Sequence, residues 1–133
     1  MTGPSVVEVE ARSYELDPYG HLNNAVYVNW FEHGRLAYLR DRGETYTSVP
    51  ERFGVHVVVV HQELSYKAQV ELGDRLRVES RITRFGRTSF VFAQAIRYPD
   101  GRLAAEGTVT MVCVGPEGAA VPIPPGLRAL LES

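Results

Sequence analysis

One long helical pattern followed by alternating segments joined through tight turns limits this chain to few architectures. From Tyr27 onward, Trp30, Phe31, Gly34, Ala37 and Tyr38 recur at helical spacing. Arg40, Arg42 and then Gly43 mark its end, because basic groups and a glycine suit the carbonyl end of a helix. Upstream, residues 6–14 alternate Val7, Val9 and Ala11 against Glu8, Glu10 and Arg12, the period of a half-buried strand. Downstream, residues 55–68 are rich in β-branched side chains, and Leu72-Gly73-Asp74 marks a turn before an alternating stretch over 75–84. Phe85-Gly86-Arg87 and Pro99-Asp100-Gly101 read as hairpin turns on either side of a strand over 88–98, with a last strand over 103–114. Consecutive hairpins require antiparallel pairing. The order strand, helix of about five turns, then four strands predicts an α+β domain with one helix buried against one antiparallel sheet.

Minor elements complete this reading. Residues 44–53 read as a loop or short irregular helix, and 127–132 as a final helical turn. Gly34 is costly inside a helix, by about 1 kcal/mol relative to Ala, so close approach of the helix to the sheet is its expected reason. One helix cannot cover both faces of a sheet, which predicts association through paired sheets or helices.

The chain has 133 residues, 44% of them hydrophobic and 23% charged, with no repeat, low-complexity tract or linker, and reads as a single domain over 1–133. A formal net charge of -2 without a basic block argues against nucleic acid as a partner. Of the 14 basic residues all but Lys67 are Arg, which is adept at binding phosphate, although a bias in codon usage explains most of them more simply. Cys113 is the single cysteine and sits in an apolar run, so a buried structural thiol is expected, in a cytoplasmic setting. The first five residues have no signal-peptide character, and the apolar run of four valines from Val57 to Val60 is too short to span a membrane.

Chemistry concentrates in Asp17-Pro18-Tyr19-Gly20-His21-Leu22-Asn23-Asn24-Ala25-Val26-Tyr27. A carboxylate, an imidazole and two amides stand in a turn ahead of a helix N-terminus, whose unpaired N–H groups and partial positive charge stabilise an oxyanion. Asp before Pro is common in turns for conformational reasons alone, but Gly20 and the nearby helix start favour a site. His21 is a candidate general acid–base or carbonyl-positioning group. Asn23 or Asn24 caps the helix, and the Asn24 N–H is the candidate oxyanion donor. His56 and His61, five positions apart in one strand, are expected on opposite faces and make a poor metal pair. Glu32 and Glu63 are read as solvated carboxylates, and Tyr27, Trp30, Phe31 and Tyr38 as core. No phosphate-binding loop, nucleophile elbow or zinc motif is present, so chemistry without metal or cofactor is expected.

The Asp17 to Tyr27 run, followed by Trp30, Glu32 and Arg35, resembles the signature of hotdog-fold thioesterases of the 4-hydroxybenzoyl-CoA thioesterase family. The resemblance continues through Ser65-Tyr66-Lys67-Ala68, Leu72-Gly73-Asp74-Arg75-Leu76 and Arg84-Phe85-Gly86-Arg87-Thr88-Ser89. It implies a curved antiparallel sheet wrapped around one long central helix. It also implies a homodimer with a continuous sheet, often assembled further into a homotetramer, with active sites at the subunit interface. By position, Asp17 matches the catalytic carboxylate, acting as nucleophile or general base, and Asn24 the residue whose N–H polarises the thioester carbonyl. The His-x-Asn-Asn stretch is also similar to plant acyl-carrier-protein thioesterases, which makes His21 and Asn23 assisting groups. Tyr19 stands where that group has Asn. Tyr27, Arg84, Arg87, Thr88 and Ser89 are the expected contacts to substrate and CoA. The implied activity is hydrolysis of a small or medium acyl-CoA, or of an acyl carrier protein thioester. Two alternatives remain: a hotdog enoyl-CoA hydratase or dehydratase, and a non-catalytic acyl-CoA binding module.

Overall fold

The computed structural model describes residues 3–133. Its elements in chain order are β1 (Ser5–Glu10), α1 (Asn24–Asp41), α2 (Ser48–Phe53), β2 (His56–Tyr66), β3 (Arg75–Phe85), β4 (Ser89–Arg97), β5 (Leu103–Val114) and α3 (Pro125–Glu132). The five strands form one antiparallel sheet in the order β1-β3-β4-β5-β2, curved around α1 in the hotdog arrangement. The α+β class expected from the pattern is therefore the observed one.

Helix α1 lies where its apolar stripe dictates. Tyr27, Trp30, Phe31, Gly34 and Tyr38 are buried beneath it, against inward residues such as Val78, Phe92, Ile96 and Val109. Burying a side chain such as Phe31 contributes about 1.5–3 kcal/mol. Gly34 permits the close approach expected of it, since a Cβ there would sit 2.6 Å from Ser80 Oγ and 2.7 Å from Val78 Cγ1. At the same level Gln94 Nε2 donates to the Phe31 carbonyl and to Ser80 Oγ, both at 2.8 Å, and so ties the helix to β3 and β4. The helix ends at Asp41 with Arg42 as its cap, and Gly43 just beyond turns the chain away at φ +81, which suits glycine. The C-terminal helix buries Leu127 and Leu131, and Tyr38 donates its hydroxyl proton to the Leu131 carbonyl at 2.6 Å.

Two expectations are revised and one is made definite. The first strand does not continue to Tyr14: it stops at Glu10, and a 3-10 turn over Ser13–Glu15 replaces its end. The cause is tertiary, because the Ala11 N–H donates to the Asp74 carbonyl and the Ala11 carbonyl accepts from the Gly73 N–H, both at 2.9 Å, which ends the ladder. Second, of the two readings of the 44–53 stretch, loop or short helix, the helix is the observed one, as α2. Third, His56 and His61 do not face opposite sides. A bulge between Val59 and His61 shifts the register, so His56 pairs with Val114 and His61 with Thr110, residues of equal parity that share a face.

Cys113 is fully buried, and burial pushes its thiol up to about 11, as suits a structural cysteine. No helix among the described residues is long and apolar enough to cross a membrane. Strand β2 is an edge of the sheet. It carries exposed Val58, Val59 and Val60, the last 57% accessible, which is an unprotected template for further strand pairing.

Candidate active site

The segment from Asp17 to Asn24 is strapped at both ends. Leu16 pairs with Leu22 and His21 with Glu71 in short antiparallel bridges. Leu22 N–H donates to the Val70 carbonyl at 2.7 Å, and Asn23 N–H to the Glu15 carbonyl at 2.8 Å. Within the loop, Asp17 N–H donates to the His21 carbonyl at 2.7 Å and Gly20 N–H to the Asp17 carbonyl at 3.0 Å. Gly20 adopts φ +80, which closes the turn without strain. The half-buried Asp17 carboxylate takes part too: Oδ1 accepts from Tyr19 N–H at 2.9 Å and from His21 N–H at 3.1 Å. Among the described residues Oδ2 has no hydrogen bond, so one oxygen holds the loop and the other is available to the groove.

Asn23 and Asn24 divide their tasks. Asn23 is the N-cap, its Oδ1 accepting from Ala25 N–H at 2.9 Å. Asn24 is the first helical residue, and its N–H donates to no acceptor among the described residues. That leaves a free donor at the positive end of the α1 dipole. Asn23→Ala is expected to lower the unfolding free energy by about 1 kcal/mol, with Asn23→Asp restoring it; denaturant titration of both variants checks this.

A groove of about 550 Å³ opens over this helix start. Asp17, His21, Asn23, Asn24 and Tyr27 line one side, so the four catalytic candidates and one substrate candidate converge. Tyr66, Lys67, Ala68 and Gln69, at the end of β2 and beyond, line the other. Tyr27 joins the walls: its ring meets Tyr66 edge-on at 5.0 Å, and its hydroxyl donates to the Ala68 carbonyl at 3.4 Å. Burial raises the Tyr27 phenol above its ordinary value, so the hydroxyl remains a donor. The Tyr66 hydroxyl donates to the Asn24 carbonyl at 3.5 Å. Lys67, not singled out as a site residue from sequence, is the only lysine of the chain, and that rarity was the one available signal.

Arg84, Arg87, Thr88 and Ser89 are not part of this groove in the single chain. They form the β3–β4 hairpin at the opposite end of the sheet. Ser89 pairs with Val112 while Ile96 pairs with Ala105, the partner of Tyr66, so the hairpin lies about 23 Å away along the strands. There the Arg87 carbonyl accepts from Ile123 N–H and the Thr88 carbonyl from Cys113 N–H, both at 2.9 Å. Glu63 is also outside the groove, exposed beside His61 at 3.4 Å, and Glu32 is solvent-exposed on α1.

Residues 11–131 match the model of the thioesterase-like superfamily. The acyl-CoA thioester hydrolase YbgC of Escherichia coli is 33% identical over 103 residues, covering 77% of this chain and 75% of that protein. The long-chain acyl-CoA thioesterase FadM of Escherichia coli is 28% identical over 108 residues, covering 80% of each. Among solved structures, a thioesterase from Thermus thermophilus complexed with coenzyme A and zinc superposes with a TM-score of 0.84 at 29% identity, covering 98% of this chain and 99% of that one. The loop carboxylate, the capped helix start and the sheet curved around it thus occur in a chain that belongs to the thioesterase-like superfamily and has its hotdog fold.

Proposed function

We propose that this protein hydrolyses an acyl-CoA thioester to the free acid and CoA, with Asp17 as the reacting carboxylate and the Asn24 N–H as the oxyanion donor. The observation that carries this reading is the convergence of a carboxylate oxygen and an unspent helix N–H on one groove. The thioester carbonyl oxygen would accept from Asn24 N–H, so charge that builds on it in the tetrahedral intermediate meets a fixed donor and the helix dipole. Asp17 would take a proton from water as its oxygen attacks the carbonyl carbon, or attack directly to form a mixed anhydride that water then opens. In both routes the C–S bond breaks and the electron pair leaves on sulfur. A thiolate departs readily, which lessens the need for a strong general acid. His21, half-buried on the groove wall, would orient the acyl carbonyl or the water, while Asn23 keeps the helix start in place.

We further propose a homodimer in which a second copy adds its β2 antiparallel to the free β2 edge. Antiparallel pairing sets the His56 end of one β2 beside the Tyr66 end of the other. It brings the partner's hairpin end of the sheet to the groove end of this chain, where Arg84, Arg87, Thr88 and Ser89 would meet CoA phosphates. The likeness to YbgC and FadM supports acyl-CoA as the substrate class.

Purified protein assayed against acyl-CoAs of increasing chain length, with free thiol detected, tests the reading. CoA release with stoichiometric acid is expected for at least one acyl group. Tight acyl-CoA binding without thiol release would identify a binding module instead, and addition of water to an enoyl-CoA with the thioester intact would identify a hydratase.

A further inference from the structure

Two charged side chains are buried among the described residues, and the fold treats them differently. Glu44, 2% exposed, is paired with Arg52 and accepts from Ser48 Oγ at 2.7 Å. Arg35, 3% exposed, has no carboxylate within ion-pair distance among the described residues. Its Nη1 donates to Gln94 Oε1 at 3.0 Å, the Tyr46 phenol lies near it, and Nε has no partner. A guanidinium out of water with only neutral oxygens around it retains much of its desolvation cost.

The position of Arg35 on α1 points to where an acid is to come from. Phe31, one turn earlier, points at Gly107 on β5, where an added Cβ would stand 3.1 Å from its ring, so Arg35 shares the flank turned toward β5 and β2. The other flank carries Trp30 and His33, which line a groove with Glu8 and Glu10 of β1. The Arg35 flank therefore looks across the half of the sheet that ends at the unpaired β2 edge. Glu32 lies on the same side, one step closer to solvent and exposed; burial holds the Tyr46 phenol above its ordinary value, and Glu32 is near enough to add to that shift. Glu32 makes no ion pair within its own chain among the described residues. The helix thus presents a buried cation without an acid and an exposed acid without a cation, three residues apart.

Two α1 helices related by a two-fold axis near residues 33 and 34 would run antiparallel and set position 32 of each against position 35 of the other. A two-fold contact repeats every pair, so one geometry would serve both copies. We propose that a second copy of this chain docks along the Arg35 flank of α1 and that Glu32 of the partner subunit neutralises Arg35. This rests on the β2-edge dimer proposed above and adds the polar contact that sets the relative position of the two helices.

Glu32→Gln is the deciding variant, because residue 32 is exposed in the single chain and its change leaves the monomer core untouched. Sedimentation equilibrium of wild type and variant over about 0.1–100 μM reads the dimer Kd. The expected result is a Kd raised about 30-fold or more in Glu32→Gln, the scale for removing one partner of a desolvated pair, with far-ultraviolet circular dichroism unchanged. The double variant Glu32→Arg, Arg35→Glu is expected to recover most of the wild-type Kd. A wild-type dimer whose Kd does not move in Glu32→Gln overturns the pairing and leaves the dimer standing, as does a weakening that the exchanged pair fails to reverse. A wild type that stays monomeric throughout overturns the dimer and the pairing together.

Discussion

Replacing Asp17 with asparagine is expected to lower kcat for acyl-CoA hydrolysis by about 100-fold or more, the scale of a lost general base. The substitution is informative because it spares the loop. An asparagine Oδ1 continues to accept from Tyr19 and His21 N–H, the bonds of 2.9 and 3.1 Å that shape the turn. The Asn23 cap and the Asn24 N–H are several residues away and stay in place. What disappears is the charge and proton affinity of the other oxygen, so binding survives while chemistry fails. The expected pattern is a large fall in kcat, a KM within about threefold of wild type and an unchanged unfolding midpoint. Retention of more than half the wild-type kcat would remove Asp17 from the mechanism, whether as nucleophile or as base.

The largest expected loss of stability lies at Gly107. A Cβ there would stand 1.9 Å from the Glu63 carbonyl oxygen, 3.0 Å from its carbon and 3.1 Å from Phe31 Cε2. The first two obstacles are backbone of the adjoining strand, which cannot rotate away as a side chain does. Gly107→Ala must therefore part β2 from β5, at about 3 kcal/mol or more, the upper end of overpacking costs. Gly34→Ala meets Ser80 Oγ and Val78 Cγ1 instead, side-chain atoms with some freedom to turn, so it is the milder of the two. The β2–β5 seam also carries Tyr66 to the groove, opposite Asn24. Gly107→Ala is thus expected to raise KM in whatever fraction remains folded. Denaturant unfolding followed by circular dichroism measures the first effect, and a midpoint within error of wild type would disprove it.

Much of this molecule follows from short-range pattern. The spacing of Tyr27, Trp30, Phe31, Gly34 and Tyr38 specifies both a helix and its buried face, because a helix reads its own sequence every three to four residues. The turns at Phe85-Gly86-Arg87 and Pro99-Asp100-Gly101 specify antiparallel neighbours in the same local way. The alternation of Val7, Val9 and Ala11 predicts too long a first strand because it carries no record of Asp74 and Gly73, which claim the Ala11 backbone. Counting by twos puts His56 and His61 on opposite faces because it assumes an unbroken ladder. A bulge is decided by how two strands must curve together.

The site divides along the same line. Asp17, His21, Asn23 and Asn24 were legible as a group because they occupy one turn of chain, where sequence neighbours are spatial neighbours. That stretch alone determined the carboxylate, the cap and the helix start that supplies a free N–H. Tyr66, Lys67, Ala68 and Gln69 complete the groove from some forty residues downstream, and Arg84, Arg87, Thr88 and Ser89 lie at the far end of the sheet, apart from it. Those placements were decided by strand order, which sets β2 at an edge beside β5 and carries the β3–β4 hairpin away from the helix start. Strand order is a balance of many long-range contacts, so no window of sequence contains it; the local chemistry of the Asp17 loop is contained within a few residues.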